Sequence, residues 1–157
     1  MNSMAHAKPM RLVTDLERPV FDALRDLPPG YTVDIQPDQV EIVPEWGQAF
    51  FYEPDCLVMA PDGRRLLVEV KSRYALTLMN MALLTTIQHH VQVSGAEFLV
   101  LVPDAQTKPS PGQLLAQFDQ LHIAYLHGSS GVVPAVLGAF RDATEDRPRK
   151  IATPSQQ

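Results

Sequence analysis

Cysteine is almost absent from this chain, since Cys56 is the single one among 157 residues. One cysteine excludes an internal disulfide and any zinc site built from several thiolates. Long apolar runs are missing too, because Thr77 and Asn80 interrupt the most hydrophobic stretch well before it could span a bilayer. The first ten residues show no apolar core typical of a signal peptide. A cytoplasmic location without membrane contact is therefore the default expectation.

Basic residues are also scarce: 13 lysines and arginines stand against 18 acidic residues, which gives a net charge of −5. That balance argues against avid, non-specific binding of nucleic acid over the whole surface. The sequence contains neither a glycine-rich phosphate loop nor a nucleophile elbow. His89 and His90 are neighbours in a predicted helix and point about 100° apart, so they cannot hold one ion together.

What the sequence does contain is a pair of short acidic segments, Glu53-Pro54-Asp55 and Glu69-Val70-Lys71, separated by a predicted hairpin. Its turn is Pro61-Asp62-Gly63. Proline and aspartate suit the two central positions of a type I turn, and glycine suits the left-handed residue that follows. The loop predicts that Ala60 lies opposite Arg64, which fixes the register of the two strands.

This register places Asp55 opposite Glu69 and Glu53 opposite Lys71, with all four side chains on one face because side chains alternate along a strand. Cys56 would be buried on the other face. Facing carboxylates repel each other, and a divalent cation would offset the repulsion. Carboxylate oxygens suit Mg²⁺ or Mn²⁺. The alternative is a surface cluster of salt bridges, in which Glu53 pairs with Lys71.

The pattern Pro54-Asp55, thirteen residues, then Glu69-Val70-Lys71 resembles the PD-(D/E)xK nuclease superfamily, which includes restriction endonucleases, Holliday-junction resolvases and transposon end-cleaving nucleases. The resemblance implies that Asp55 and Glu69 bind Mg²⁺ or Mn²⁺, that the backbone carbonyl of Val70 completes the coordination, and that Lys71 positions the attacking water. It covers roughly residues 14–103. It also implies a restriction-endonuclease-like fold.

The order of predicted elements indicates an α/β fold with a mixed sheet flanked by helices, an αβββαβ core and a C-terminal α/β elaboration. We expect a flexible arm at 1–13, a single domain at 14–143 and a disordered tail at 144–157. The predicted helices cover 14–27, 75–93, 111–121 and 132–143. The predicted strands cover 31–36, 39–43, 50–60, 64–72, 97–102 and 122–126.

Two further residues are candidates at the same site. Glu17 matches the position of an additional acid that many relatives place on the first helix, although a capping box with Thr14 explains it equally well. Gln88 lies on the predicted polar side of the long helix, where some relatives use a glutamine to hold substrate or water. A solvated helix face explains Gln88 as well.

The function predicted from these residues is metal-dependent hydrolysis of phosphodiester bonds, in DNA in preference to RNA. The resemblance also implies a homodimer or a separate targeting subunit, since small enzymes of this fold often act in these ways and one compact domain offers little surface for reading a duplex. Two alternatives stay open. One is a catalytically inactive nuclease-like module for DNA binding or protein assembly, which the acidic charge favours. The other is a plain interaction protein whose hairpin charges form salt bridges.

Overall fold

A five-stranded mixed sheet forms the centre of the computed structural model, which describes residues 11–45, 47–75, 77–103, 125–127 and 131–144. Its strand order is β1-β4-β5-β6-β7. The strands are β1 (Thr32–Asp34), β4 (Cys56–Met59), β5 (Arg65–Val70), β6 (Glu97–Val102) and β7 (Tyr125–His127). Neighbouring strands run antiparallel from β1 to β5 and parallel from β5 to β7. The predicted α/β class with a mixed sheet is confirmed.

The β4–β5 hairpin has the register that its turn predicts. Cys56 pairs with Val68 and Met59 pairs with Arg65. The loop closes through hydrogen bonds of 2.9 Å from Ala60 N to Arg64 O and from Gly63 N to Ala60 O. Gly63 has a φ of 90°, the left-handed conformation that glycine adopts without steric cost. Local turn chemistry is therefore sufficient to align the two strands.

The predicted strand 50–60 is wrong as one continuous element, because the chain leaves the sheet at Pro54. Its first part, β3 (Phe50–Tyr52), pairs instead with β2 (Val40–Ile42) in a separate two-stranded sheet. Proline has no N–H to donate to a ladder and restricts the residue before it. The predicted pairing of Glu53 with Lys71 is consequently absent, and Glu53 accepts a 2.9 Å hydrogen bond from Gln39 Nε2.

Helices cover both faces of the main sheet. They are α1 (Arg18–Leu24), α2 (Leu78–Val93), which links the parallel strands β5 and β6, and α3 (Val132–Thr144). Side chains of α1 and α3 pack on the face that carries Cys56, Val58 and Val68. Side chains of α2 and of the small sheet pack on the face that carries Leu67 and Val100. The core therefore has two halves, one on each side of the sheet.

The predicted boundaries and buried face of the long helix need correction. It begins at Leu78, after a 3₁₀ turn at Arg73–Ala75, because the Thr77 side chain accepts the Asn80 N–H and caps it there. The apolar pattern of the sequence predicts that one side of this helix carries Leu76, Met79, Leu83, Leu84, Ile87 and Val91. Of these, Met79 and Leu83 are exposed. The buried face instead comprises Met81, Leu84, Ile87, Gln88 and Val91.

Some predictions concern residues outside the described ranges. These are the arm at 1–10, the helix 111–121, most of the strand 122–126 and the tail from 145 onward.

The helix α1 is shorter than predicted at both ends, and a turn with hydrogen bonds such as Leu27 N to Leu24 O follows it. Among the helices that the structure describes, none has the length and apolar character needed to cross a bilayer.

Candidate active site

Asp55 and Glu69 meet at one end of the β4–β5 hairpin, as the register predicts. Asp55 immediately precedes β4, and its Oδ2 accepts a 2.7 Å hydrogen bond from Val70 N. The charge of Asp55 raises the pKa of Glu69, so the two carboxyl groups are near enough to interact. Glu69 is only 6% exposed. The two acids therefore converge on one side of the sheet.

Burial makes both acids of this pair difficult to ionise, and at Glu69 the charge of Asp55 adds to the effect. Burial raises the pKa of Asp55, and the Glu17 charge adds to the rise, while the Val70 N–H and the Arg11 charge oppose it. Burial, followed by the charge of Asp55, raises the pKa of Glu69 to about 7. When two carboxyl groups occupy one site, ionisation of the first raises the pKa of the second. A bound cation would stabilise the ionised form of both carboxyl groups.

Glu69 is held by a partner on each oxygen. The Tyr52 hydroxyl on β3 donates a hydrogen bond to Glu69 Oε2, and Lys71 Nζ lies 3.2 Å from Glu69 Oε1. Tyr52 is itself buried, and its ring packs edge-on against Phe98. The small sheet thus reaches over the main sheet and fixes the orientation of Glu69. Lys71 remains at the rim, with its side chain 30% exposed.

Arg11 connects the remaining acids. Its Nη2 forms an ion pair with Glu17 and lies 3.0 Å from Asp55 Oδ1. Its Nη1 donates to the Asp55 carbonyl and, at 3.0 Å, to the carbonyl of Ile35. The guanidinium also lies 5.6 Å from the centre of the Phe21 ring. Arg11 therefore supplies positive charge to the acid cluster in this structure.

Glu17 forms the predicted capping box and also contacts Arg11, which pairs with Asp55. It closes the capping box, because Thr14 N donates to Glu17 Oε1 at 3.2 Å and Glu17 N donates to Thr14 Oγ1 at 3.2 Å. Its other oxygen contacts Arg11, next to Asp55. Glu17 is 4% exposed. A part in metal binding stays a prediction.

The oxygen atoms at the hairpin end are chemically suited to a hard divalent cation. Asp55 and Glu69 offer carboxylates, and Val70 presents its N–H to Asp55. The N–H and C=O of one strand residue point to the same side, so the Val70 carbonyl is also directed toward Asp55. Within the described ranges, no three acidic, histidine or cysteine side chains are grouped to hold a metal. A metal would therefore depend on this pair, the carbonyl and water.

Gln88 does not lie on a solvated face of α2, because it is only 7% exposed. Its spacing from Leu84 and Val91 explains this, since residues three and four apart share a helix face. The solvated explanation is wrong, and a role at the site stays a prediction.

Arg11 and Tyr52 are site residues that sequence reasoning missed. Both lie outside the motif, and their approach depends on how β3 and the segment before α1 fold back.

A cleft of about 540 Å³ opens beside Asp55. Arg11 and Pro54 form part of its wall, together with the connection from Ile35 to Gln39 and with Glu53. Another concavity lies along α2, where Thr86 and His90 face Val43. The cleft reaches Asp55, whereas Glu69 is 6% exposed and is not part of its wall.

Comparison with known proteins gives a likeness in fold. No family model matches the chain, and no curated protein matches it. A solved structure, protein VC1899 from Vibrio cholerae, is similar with a TM-score of 0.50 and 12% sequence identity. The similarity covers 84% of this chain and 33% of that chain, so this chain spans about a third of the length of VC1899. At this identity the likeness concerns the fold alone.

Proposed function

We propose that this protein is a metal-dependent nuclease of the restriction-endonuclease-like fold that hydrolyses phosphodiester bonds, in DNA in preference to RNA. The supporting observation is the convergence of Asp55 and Glu69, with Lys71 beside Glu69, at one end of a hairpin. The order of elements around the main sheet adds support. Along the chain it runs α1, β1, β4, β5, α2, β6, with β2 and β3 inserted between the first two strands.

Each residue has a role that follows from its surroundings. Asp55 and Glu69, with the Val70 carbonyl, would hold Mg²⁺ or Mn²⁺, and such an ion supplies the charge that stabilises a developing phosphorane. Tyr52 keeps the Glu69 carboxylate in one orientation through its hydroxyl. Lys71, at the exposed rim, is placed to orient water or to stabilise negative charge on phosphorus. The cleft beside Asp55 would admit the strand.

The test is incubation of the purified protein with supercoiled, linear, branched and single-stranded DNA, and with RNA, in Mn²⁺ and in Mg²⁺. We expect cleavage products from at least one DNA form and none after chelation of the metal. The double variant Asp55→Asn with Glu69→Gln is the matched control, since both changes preserve shape and remove charge. Cleavage by that variant equal to wild type would reject the proposed site.

Lys71→Ala separates catalysis from binding. Lys71 contacts Glu69 at the rim and makes its backbone hydrogen bond, from Lys71 N to Leu101 O, independently of its side chain. We expect a loss of cleavage of about 100-fold or more, typical of removing a group that acts in the transition state, with DNA affinity retained. Arg65→Ala, an exposed basic residue of the same hairpin, controls for simple loss of charge. Full activity of Lys71→Ala would contradict the assigned role.

A second candidate function is an inactive nuclease-like module for DNA binding or protein assembly. The net charge of −5 favours it, and so does the ion pair that Arg11 makes with both Glu17 and Asp55. An arginine can neutralise acids without any metal. DNA that is bound but never cut in Mn²⁺ would support this function over the nuclease.

A further inference from the structure

Arg11 supplies positive charge next to Asp55, and both oxygens of Asp55 are already engaged. Oδ1 lies 3.0 Å from Arg11 Nη2, and Oδ2 accepts the Val70 N–H at 2.7 Å. Resting on the metal site proposed above, we infer that Arg11 is an internal counter-ion that a divalent metal ion must displace from Asp55. Metal binding and the Arg11–Asp55 ion pair are then mutually exclusive states of one site.

The competition follows from electrostatics and from the supply of oxygen atoms. A divalent cation and a guanidinium on one carboxylate repel each other strongly at separations of a few ångströms, more so where burial lowers the effective dielectric. Asp55 Oδ2 accepts a hydrogen bond from the backbone N–H of Val70, whereas Oδ1 contacts the side chain of Arg11. A metal ion can replace the side-chain partner more easily than the backbone partner. An ion that binds Asp55 therefore competes directly with Arg11.

Displacement does not require Arg11 to leave the molecule. Its guanidinium also contacts Glu17, the Ile35 carbonyl and the Phe21 ring. These partners are separate from Asp55, and the arginine forms part of the wall of the cleft. Arg11 can therefore turn away from Asp55 into the cleft, where its side chain becomes more exposed. Its side chain is already 26% exposed.

The first experiment compares Mn²⁺ affinity by isothermal titration in the wild type and in Arg11→Gln, which keeps polar contacts and removes the charge. We expect the variant to bind Mn²⁺ about tenfold more tightly, equivalent to about 1.4 kcal/mol. Arg25→Gln is the matched control, because Arg25 forms an exposed ion pair with Asp22 at 3.8 Å. Equal or weaker binding by Arg11→Gln than by wild type overturns the inference and leaves the nuclease proposal standing.

The second experiment uses the wild-type protein, so that misfolding of a variant cannot decide the outcome. Trypsin cuts after arginine, and Leu12 on the other side of the bond is 89% exposed. We expect Mn²⁺ to accelerate the cut after Arg11 several-fold, detected by mass spectrometry as a product that begins at Leu12. The acceleration should vanish in Asp55→Asn.

The outcomes separate the two proposals. An unchanged rate of cutting after Arg11 in wild type that binds Mn²⁺ would overturn the counter-ion role alone. Failure of both wild type and Arg11→Gln to bind Mn²⁺ would overturn the metal site and the inference with it. Tighter binding by Arg11→Gln together with faster cutting of wild type in Mn²⁺ supports the exchange of Arg11 for metal.

Discussion

Tyr52 is a residue whose importance comes from one hydroxyl group. It donates to Glu69 Oε2 from a position that is almost fully buried, and burial raises its pKa so that it stays protonated. Tyr52→Phe would leave a buried carboxylate oxygen without this donor, which costs about 1–3 kcal/mol. We expect that loss in the free energy of unfolding measured with urea, and a several-fold weaker affinity for Mn²⁺.

Tyr31→Phe is the control for Tyr52, because the Tyr31 ring packs 5.8 Å from that of Phe140, on the opposite face of the sheet. It should change Mn²⁺ affinity little. Equal metal affinity in Tyr52→Phe and wild type would show that Glu69 does not need this hydroxyl for its orientation.

The acid pair also predicts how stability depends on pH in the absence of metal. Burial and the Asp55 charge raise the pKa of Glu69 from 4.5 to about 7 in the folded protein. Between these values the folded state holds a proton that the unfolded state has released, so the free energy of unfolding falls as pH rises from about 4.5 to 7. The loss amounts to a few kcal/mol at most, on the order of 1.4 kcal/mol per pKa unit.

Urea denaturation at several pH values in this range, with a chelator present, measures the effect. Glu69→Gln should weaken the dependence, because glutamine does not titrate and only the contribution of Asp55 remains. Glu41→Gln, an exposed position on β2, should leave it unchanged. A wild-type stability that rises through this window would contradict the sign derived for Glu69.

At the scale of the elements, the hairpin that carries the acids depends on two glycines. Gly63 has a φ of 90° and open space where a Cβ would lie, whereas Gly30, with a φ of 93°, would place a Cβ 2.9 Å from Pro61 Cγ. Gly63→Ala should therefore cost about 1–2 kcal/mol from backbone strain alone. Gly30→Ala should cost more, because it adds a clash with the hairpin loop.

Chemical denaturation measures the free energy of unfolding of both glycine variants. The difference between the two values gives the effect of the contact between residue 30 and the hairpin loop. Equal losses would show that Pro61 shifts freely, so that the β4–β5 loop is not braced by the turn before β1. Activity assays at a temperature where both variants are folded would then show whether bracing of the loop matters at the far end of the hairpin.

Also at the scale of the elements, Pro54 explains why the site is more enclosed than a plain hairpin would be. The chain breaks after β3 and restarts at β4, so that β3 joins β2 on the α2 side of the main sheet. This brings Tyr52 over Glu69. An uninterrupted strand from 50 to 60 would instead carry Tyr52 further along the same ribbon, away from the acid that it contacts.

For the whole molecule, the site lies where separate parts of the fold meet: the segment before α1 through Arg11, the small sheet through Tyr52, and the main hairpin through Asp55 and Glu69. A ligand that binds only the folded arrangement stabilises all of it. At a Mn²⁺ concentration 100 times the dissociation constant, the expected gain is about 2.7 kcal/mol.

Thermal unfolding in Mn²⁺ and in chelator measures this gain. Wild type should show a higher midpoint with the ion, and the double variant Asp55→Asn with Glu69→Gln should show no increase. A midpoint of the wild type that is insensitive to Mn²⁺ would instead favour the interaction protein, in which Arg11 and Lys71 satisfy the acids through salt bridges.

The sequence by itself determined what depends on neighbouring residues. The Pro61-Asp62-Gly63 turn set the register from Cys56 to Met59, and with it the approach of Asp55 to Glu69. The apolar run of β6 and its flanks predicted Glu97–Val102 with the bounds that the structure has. Thr14 and Glu17 formed their predicted capping box. These features need only turn chemistry and side-chain alternation, which act over a few residues.

Tertiary structure alone decided which distant groups surround the acids. Arg11 is 44 residues from Asp55, and Tyr52 is 17 residues from Glu69; no local pattern specifies either contact. The burial of Gln88 and the exposure of Met79 likewise depend on how α2 rotates against the sheet and the small β2–β3 unit. Such contacts arise from the packing of whole elements, where apolar burial and desolvation of charge act together. The hydrophobic periodicity of one segment does not specify them.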